Sequence, residues 1–257
     1  MKIRILGCGG AFSTNLYNSC ILLEIGTTYV LLDAGSDLKY MLRDSSICPN
    51  QIDYIYISHL HSDHIGGMEY LGFINYFVYK HKPVLYGDMI LLHDLWNYSL
   101  KGGMESLEDG DLPEGSKIGT LDTYFDTRPL KPNNSFLIGD VSFTPIQTCH
   151  ITNEYYTSRS FGLLIDTGKN KILWTSDIKF IPAQIQTLCD KVELIIHDCE
   201  TGNHKSRVHA HYDDLLTIKS DTRKKIALIH YGNNSKQNAK EDGFFGFLKQ
   251  GQVIEIE

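Results

Sequence analysis

The chain has 257 residues, of which 42% are hydrophobic and 21% are charged, and this composition excludes an intrinsically disordered protein. Its 24 basic and 31 acidic residues give a formal net charge of -7, which argues against a protein that tracks long stretches of nucleic acid backbone. The six cysteines form no C-x-x-C pair, so we expect reduced thiols. No apolar run is long enough to span a membrane, and we expect no secretory signal and a cytoplasmic location. We also expect a single domain over residues 1–257.

Short apolar runs bounded by glycine, asparagine and aspartate recur along the chain and predict a protein rich in β-strands. The predicted strands are, in chain order, 3–6, 20–25, 29–32, 52–57, 136–138, 141–146, 161–165, 171–175, 192–196 and 225–229. Helices are predicted over 39–43, 68–79 and 88–98, whereas residues 99–116 contain too many glycines and acidic residues for a core element. Two β-rich halves with interspersed helices predict an α/β fold of the αββα type, in which two stacked mixed sheets are covered by helices.

The strongest local signal follows the predicted strand 52–57, where residues 58–64 read SHLHSDH. Four side chains that bind metals lie within six residues there, namely His59, His61, Asp63 and His64. Alternate side chains on an extended segment point the same way, so His59 and His61 are predicted to bind one cation. The turn that follows is predicted to bring Asp63 and His64 to a second cation.

This segment resembles the H-x-H-x-D-H signature of the metallo-β-lactamase fold superfamily. The resemblance implies three more ligands, His150, Asp177 and His230, and each of them follows an apolar strand pattern. One metal ion would be held by His59, His61 and His150, and the other by Asp63, His64 and His230, with Asp177 shared. Nitrogen and oxygen ligands without a thiolate suit two Zn²⁺ ions, with Mn²⁺ as an alternative. Such a pair of ions can supply hydroxide near neutral pH. Asp63 is also predicted to take part in catalysis. The β-lactam-cleaving enzymes commonly have cysteine where this chain has Asp177, which argues against that reaction.

A second signal is the strand end His197-Asp198 followed by the triplet His209-Ala210-His211. It resembles the accessory motifs of the tRNA 3′-processing endonuclease (RNase Z) branch, and the resemblance implies that Asp198 and His211 together protonate the leaving alkoxide. The structural alternatives are a strand-end cap for Asp198 and a helix start for His211. We expect His209 to lie in a solvated loop, and Asp33 to order the loop beneath the metals.

The substrate predicted from these features is a small phosphodiester. Only 26 residues separate His150 from Asp177, too few for the basic arm that grips tRNA in the nuclease branch. The compact chain is similar to the small cyclic nucleotide phosphodiesterases of this fold, including the phage-encoded anti-Pycsar enzymes, which counter a cyclic-nucleotide antiviral defence. Aromatic side chains are predicted to stack on the base, with Tyr124, Phe125 and Tyr156 as the candidates.

Several alternatives remain open at this stage. Within enzymes they are a tRNA 3′ endonuclease and a cyclic phosphate phosphodiesterase of phosphonate metabolism. The alternative from a different class of protein is a metal-stabilised binding module without catalysis. The family resemblance also implies a homodimer, and no membrane or stable nucleic-acid partner is expected.

Overall fold

The computed structural model describes residues 1–189, 192–233 and 235–257. The strands in these ranges are β1 Lys2–Gly7, β2 Cys20–Ile25, β3 Thr28–Leu32, β4 Tyr54–Tyr56, β5 Val84–Asp88, β6 Asp126–Leu130, β7 Phe136–Ile138, β8 Val141–Thr148, β9 Ser160–Asp166, β10 Lys171–Trp174, β11 Leu194–Asp198, β12 Ile226–Ile229, β13 Gly246–Phe247 and β14 Val253–Glu255. The α-helices are α1 Leu38–Asp44, α2 Ser62–Ile65, α3 Met68–Phe73, α4 Met89–Leu95, α5 Lys101–Met104, α6 Leu121–Tyr124, α7 Pro182–Cys189, α8 Tyr212–Leu215 and α9 Ser220–Arg223. Short 3-10 helices span Pro49–Gln51 and Asp109–Asp111, and π-helical turns span Ile74–Tyr79 and Trp96–Leu100.

The described strands form two mixed sheets of seven, flanked by helices. The first sheet has the order β14-β1-β2-β3-β4-β5-β6 and the second has the order β13-β12-β11-β10-β9-β8-β7. In each sheet one half is antiparallel and the other half is parallel: β3 to β6 run parallel in the first, and β10 to β13 run parallel in the second. The predicted αββα architecture is therefore confirmed.

The core lies between the two sheets. One cluster of buried apolar side chains includes Ile3 and Leu22 from the first sheet and Phe143 and Phe161 from the second. A smaller cluster joins the outer face of the second sheet to α7 and α8. Strand β11 is buried at all five of its residues, as is typical of a parallel strand covered on both faces. Among the described residues, no helix has both the length and the apolar character needed to cross a bilayer.

All ten predicted strands are present, with ends shifted by a few residues. The predicted helix 68–79 ends as a π-helical turn, and the predicted helix 88–98 starts one residue later because Asp88 ends β5 and caps α4 through bonds from the backbone N–H groups of Ile90 and Leu91. Strands β5, β6, β13 and β14 and helices α2, α6, α7 and α9 were not predicted. The predicted irregular segment 99–116 contains the short helix α5, which continues from the π-helical turn.

Candidate metal centre

The predicted metal-binding side chains meet at one edge of the two sheets because each follows the end of a strand. His59, His61, Asp63 and His64 follow β4, and His150 follows β8. Asp177 and His230 follow the parallel strands β10 and β12, whose carboxyl ends lie at the same sheet edge, the usual place for a binding site in such sheets. The backbone turns sharply there: Asp33, Ser176 and His230 all have positive φ angles, of 63°, 49° and 66°.

The first group of side chains consists of His59, His61, His150 and Asp177, each offering one ligand atom. Nδ1 of His61 lies 3.0 Å from Nε2 of His59 and 3.2 Å from Nε2 of His150. Oδ2 of Asp177 lies 3.6 Å from Nε2 of His59 and 3.7 Å from Nε2 of His150. Four donor atoms therefore face a common point.

The second group consists of Asp63, His64, His230 and Asp177. Oδ2 of Asp63 lies 3.3 Å from Nε2 of His64 and 3.1 Å from Nε2 of His230. Nε2 of His64 is also 3.4 Å from Oδ2 of Asp177. The structure thus brings together all seven side chains predicted as ligands, and Asp177 belongs to both groups.

These distances fit bound metal ions. Ligand atoms about 2.0 to 2.1 Å from a tetrahedral Zn²⁺ lie roughly 3.3 Å from one another, which is the middle of the range seen in both groups. Two of the donor atoms, Nε2 of His64 and Oδ2 of Asp177, are buried without a hydrogen-bond partner. Such orphaned atoms are rare in proteins, and a cation between them would satisfy both. The cluster can therefore bind metal ions.

The pKa values of residues in the cluster also fit a bound metal ion. Burial lowers the pKa of His64, but the carboxylates of Asp177 and Asp33 outweigh it and raise that pKa well above its usual range. Burial raises the pKa of Asp177, but the positive charges of His230 and His64 outweigh it and bring that pKa well below its ordinary value. Without a metal, the carboxylates therefore favour the protonated form of His64, whereas burial lowers the pKa of His59, His61 and His150. A divalent cation would supply positive charge in place of the proton on His64.

Side chains behind the ligands fix their orientation. Nδ1 of His64 lies 2.6 Å from Oδ2 of Asp33, and the other oxygen of Asp33 accepts a bond from the backbone N–H of Ser58. Nδ1 of His150 donates to the carbonyl oxygen of Val208 over 2.8 Å. In both histidines Nδ1 is engaged and Nε2 faces the cluster, as is common for metal-binding imidazoles. The expectation that Asp33 orders the loop beneath the cluster agrees with these contacts.

The histidine beside Asp198 is His209, and the prediction of His211 in that position was wrong. Nδ1 of His209 lies 2.8 Å from Oδ2 of Asp198 and 3.8 Å from Oδ2 of Asp177. His211 instead caps α8, since its Nδ1 accepts a bond from the backbone N–H of Asp213, and its Nε2 donates to the carbonyl oxygen of Gly202. With both ring nitrogens engaged away from the cluster, His211 has no free atom to offer to a substrate.

Asp198 contacts two histidines at once. Its Oδ1 lies 3.4 Å from Nδ1 of His230, and its Oδ2 accepts a bond from the backbone N–H of Ile178. Burial lowers the pKa of His209, but the charge and hydrogen bond of Asp198 outweigh it, so that the pKa is raised. Asp177, Asp198, His209 and His230 form a third close group, but 2.8 Å between His209 and Asp198 is a charge-assisted hydrogen bond and is short for two ligands of one ion.

The predicted base-stacking residues Tyr124 and Phe125 are a second correction. Tyr124 is 1% exposed and its hydroxyl donates to the carbonyl oxygen of Met104, while Phe125 is fully buried in the core. Neither ring can stack on a substrate. Tyr156 is 59% exposed and lines a cleft of about 180 Å³ beside His59 and His61, so its role in binding stays a prediction.

A second cleft, of about 270 Å³, is lined by other residues of the cluster. It is lined by His209 and His230, by the loop at residues 10–13 and by residues near Glu200. The aromatic residue at this cleft is Phe12, which was not identified from the sequence. Its position two residues after Gly10, on the turn that follows β1, is the one signal by which it could have been found.

Comparison with known proteins identifies relatives along the whole chain. Residues 1–254 match the family model described as "Anti-Pycsar protein Apyc1". The anti-Pycsar protein Apyc1 of Paenibacillus harenae is 30% identical over 258 residues, covering 100% of both chains. The protein of the same name from Bacillus phage vB_BsuM-Goe3 is 32% identical over 269 residues, covering 98% of this chain and 97% of the relative. Among solved structures, the metallo-β-lactamase fold protein YhfI from Bacillus subtilis matches with a TM-score of 0.74 and 19% identity over 98% of each chain, which establishes the fold.

Proposed function

The chain belongs to the anti-Pycsar protein Apyc1 family, and from this membership we propose that it is a dinuclear metal-dependent phosphodiesterase that hydrolyses a cyclic mononucleotide to a linear nucleoside monophosphate. The observation that carries the proposal is the pair of ligand groups joined by Asp177, with the Asp198–His209 pair beside them. We propose that the ions are Zn²⁺, with Mn²⁺ as the alternative, because the donors are nitrogen and oxygen atoms.

The reaction replaces one phosphorus–oxygen bond with another. Water adds to phosphorus, one ribose ester bond breaks, and its electron pair goes to the ribose oxygen. Two bound divalent cations would lower the pKa of water toward neutrality and offset the negative charge of the phosphate. The chain must then supply a proton to the departing ribose oxygen, because an alkoxide is a poor leaving group.

His209 is suited to supply that proton. Its Nδ1 is engaged with the carboxylate of Asp198, which holds the ring in one orientation and stabilises the protonated imidazole. Its Nε2 is the remaining donor, and His209 lines the cleft next to the cluster. The role that was predicted for His211 is therefore proposed for His209, with Asp198 as its positioning partner.

The size of the site favours a small substrate over a long RNA. The two clefts beside the cluster measure about 270 and 180 Å³, close to the lower end of small-molecule sites. The net charge of -7 offers no extended basic surface for an RNA backbone. In keeping with the names of the relatives, we propose that hydrolysis serves to remove a cyclic nucleotide signal of antiviral defence.

A substrate screen tests the proposal. The metal-loaded protein is incubated with cyclic mononucleotides, cyclic dinucleotides and a 3′-extended tRNA, from low to physiological salt, with metal-free protein as the control. We expect turnover of a cyclic mononucleotide that responds weakly to salt, since a single phosphate needs few ionic contacts. An RNA substrate would instead lose about 0.7 log units of affinity per phosphate contact for each tenfold rise in salt. Cleavage of the tRNA without turnover of any cyclic nucleotide would reject the proposal.

The homodimer implied by the family resemblance is part of the proposal. Sedimentation of the purified protein at micromolar concentration measures it directly. A single species at the mass of one chain, 29.2 kDa, would reject it.

A further inference from the structure

We propose that the cleft between the loop at residues 10–13 and the segment at residues 200–209 binds the nucleoside half of the substrate, with the ring of Phe12 stacked on the base. This inference rests on the function proposed above and gives the substrate one orientation in the same site. The cleft has a volume of about 270 Å³, and its walls include Phe12, Glu200, Val208, His209, His230 and Gly232.

The position of the general acid decides the orientation. His209 must reach the oxygen that leaves phosphorus, and that oxygen remains attached to the ribose. In a 3′,5′-cyclic nucleotide both ester oxygens belong to the same ribose, so the nucleoside lies near His209 whichever bond breaks. His209 lines the cleft that contains Phe12, and it is not among the walls of the cleft that contains Tyr156.

The loop that carries Phe12 is anchored directly against the cluster. The backbone N–H of Gly10 and the hydroxyl of Ser13 both donate to the carbonyl oxygen of Tyr231, over 3.1 and 3.0 Å. A Cβ atom at Gly10 would lie 3.3 Å from Cε1 of His230, so the glycine lets the loop pack on the ring of a predicted ligand. The loop thus holds its tip beside the cluster.

Phe12 stands at that tip and is 96% exposed. A phenylalanine ring in water forfeits the free energy that burial of its surface would give. The bonds made by Gly10 and Ser13 anchor the loop on both sides of Phe12. A flat aromatic base laid against the ring would cover both surfaces. Stacking on a nucleotide base would therefore bury the exposed ring of Phe12.

The cleft that contains Tyr156 has different walls. Its walls include Asp94 and Arg159, and the guanidinium of Arg159 lies 3.3 Å from Oδ1 of Asp88, which also caps α4. His209 is not among the walls of this cleft, so a nucleoside bound there would lie away from the proposed general acid. We therefore assign no base to that side, although Tyr156 lies there.

The test compares substrates with and without a base. The substrates are 3′,5′-cyclic CMP and the base-free methyl riboside 3,5-cyclic phosphate, and the proteins are wild type, Phe12→Ala, Phe12→Tyr, Tyr156→Ala and the matched control Tyr40→Ala, an exposed tyrosine on α1 that lines neither cleft. Loss of one stacked base should raise the KM of Phe12→Ala for cyclic CMP roughly 5- to 100-fold, with kcat changed far less. The base-free substrate should show no difference, Phe12→Tyr should restore the KM, and Tyr40→Ala should behave as wild type.

A binding measurement tests the position of the base independently of the proposed catalytic activity. In Phe12→Trp, the fluorescence of the new indole should be quenched when linear CMP is added to the metal-loaded protein. Turnover of cyclic CMP with an unchanged KM in Phe12→Ala, or a KM effect found in Tyr156→Ala instead, would overturn the inference and leave the proposed function standing. Quenching by CMP without turnover of any cyclic nucleotide would reject the proposed function and support the cleft, and absence of both would reject both.

Discussion

Nδ1 of His209 lies 2.8 Å from Oδ2 of Asp198, at the side of a cluster of seven histidine and aspartate side chains. This contact gives the proposed reaction its proton donor, since it orients one ring nitrogen and leaves the other for the substrate. It also distinguishes the role of His209 from that of His211, which lies two positions further along the sequence.

Replacement of His209 with alanine should lower kcat for a cyclic nucleotide by roughly 10²- to 10⁴-fold while the protein keeps its metals. A nitrophenyl diester, whose leaving group hardly needs a proton, should lose much less. Steady-state kinetics on both substrates, with metal content measured in parallel, check this. Equal losses on the two substrates would leave His209 without an acid role.

The matched control is His211. His211→Ala removes the cap of α8, which costs about 0.5 to 2 kcal/mol of stability, whereas asparagine can still accept the bond from the backbone N–H of Asp213. We therefore expect His211→Asn to be stable and nearly as active as wild type. A kcat for His211→Asn as low as that for His209→Ala would restore the role predicted from the sequence.

The pH dependence should follow from the charge of Asp198. Burial lowers the pKa of His209 and Asp198 raises it by more, and a general acid works only while it is protonated. Activity should therefore fall as pH rises through the pKa of His209. Asp198→Asn removes the negative charge and lowers that pKa, so the alkaline fall in kcat/KM should move to lower pH. A pH–rate profile of the two proteins measures the shift, and a shift to higher pH would contradict the pairing.

The ligand cluster was predictable because its signal is local. The spacing of His59, His61, Asp63 and His64 is dense enough to stand out, and a strand end is a position that hydrophobic patterning can locate. The His209–Asp198 pair was not predictable in the same way. Only Ala210 separates His209 from His211, and the sequence alone predicts that alternate side chains of an extended segment point the same way. The start of α8 at Tyr212 decides which of the two is the cap.

The aromatic residues were mispredicted for a related reason. Tyr124 and Phe125 follow an irregular acidic segment, which made exposure a reasonable expectation. In the folded chain the hydroxyl of Tyr124 reaches back to the carbonyl oxygen of Met104 and Phe125 joins the main core. The contact between Tyr124 and Met104 joins residues 20 positions apart in the chain, and the local composition does not reveal it.

Substitution of Asp177 should affect both metal ions, because Asp177 belongs to both ligand groups. Asp177→Asn should reduce bound metal below that of Asp63→Asn, which leaves the first group of three histidines and Asp177 intact. Both variants should lose most of their activity. Elemental analysis after gel filtration measures the ions per chain, with His204→Ala, an exposed histidine outside the groups, as the control. A wild-type protein that is active with one ion would contradict the dinuclear proposal.

Asp33 provides a test of the support behind the ligands. Asp33→Asn removes the charge that orients His64, and asparagine tolerates the positive φ angle of 63° at this position. Metal affinity should fall about 10- to 100-fold without unfolding of the protein. Titration with a competing chelator measures the affinity, and Asp140→Asn in an exposed hairpin turn serves as the control. An affinity equal to that of wild type would show that the hydrogen bond to His64 does not tune the site.

Metal binding should stabilise the protein, and this stabilisation should weaken as pH falls. At a metal concentration 100 times the dissociation constant the gain is about 2.7 kcal/mol, or roughly 5 to 10 °C in Tm for a chain of this size. Burial lowers the pKa of His230, but the carboxylate of Asp177 and the bonds to Asp198 and Asp63 raise it to about 10 in the absence of metal. Binding must displace such protons, so protons compete more strongly at low pH and the gain in Tm shrinks.

Thermal melts with Zn²⁺ and with a chelator, repeated across a pH series, measure this gain. Calorimetric titrations in two buffers of different ionisation enthalpy should also show proton release on binding. Asp177→Asn should show little metal-dependent gain at any pH, which separates the cluster from nonspecific binding. A gain in Tm that is the same at acidic and neutral pH would contradict histidine ligation, because carboxylates whose pKa values lie well below the ordinary range do not compete with protons in that interval.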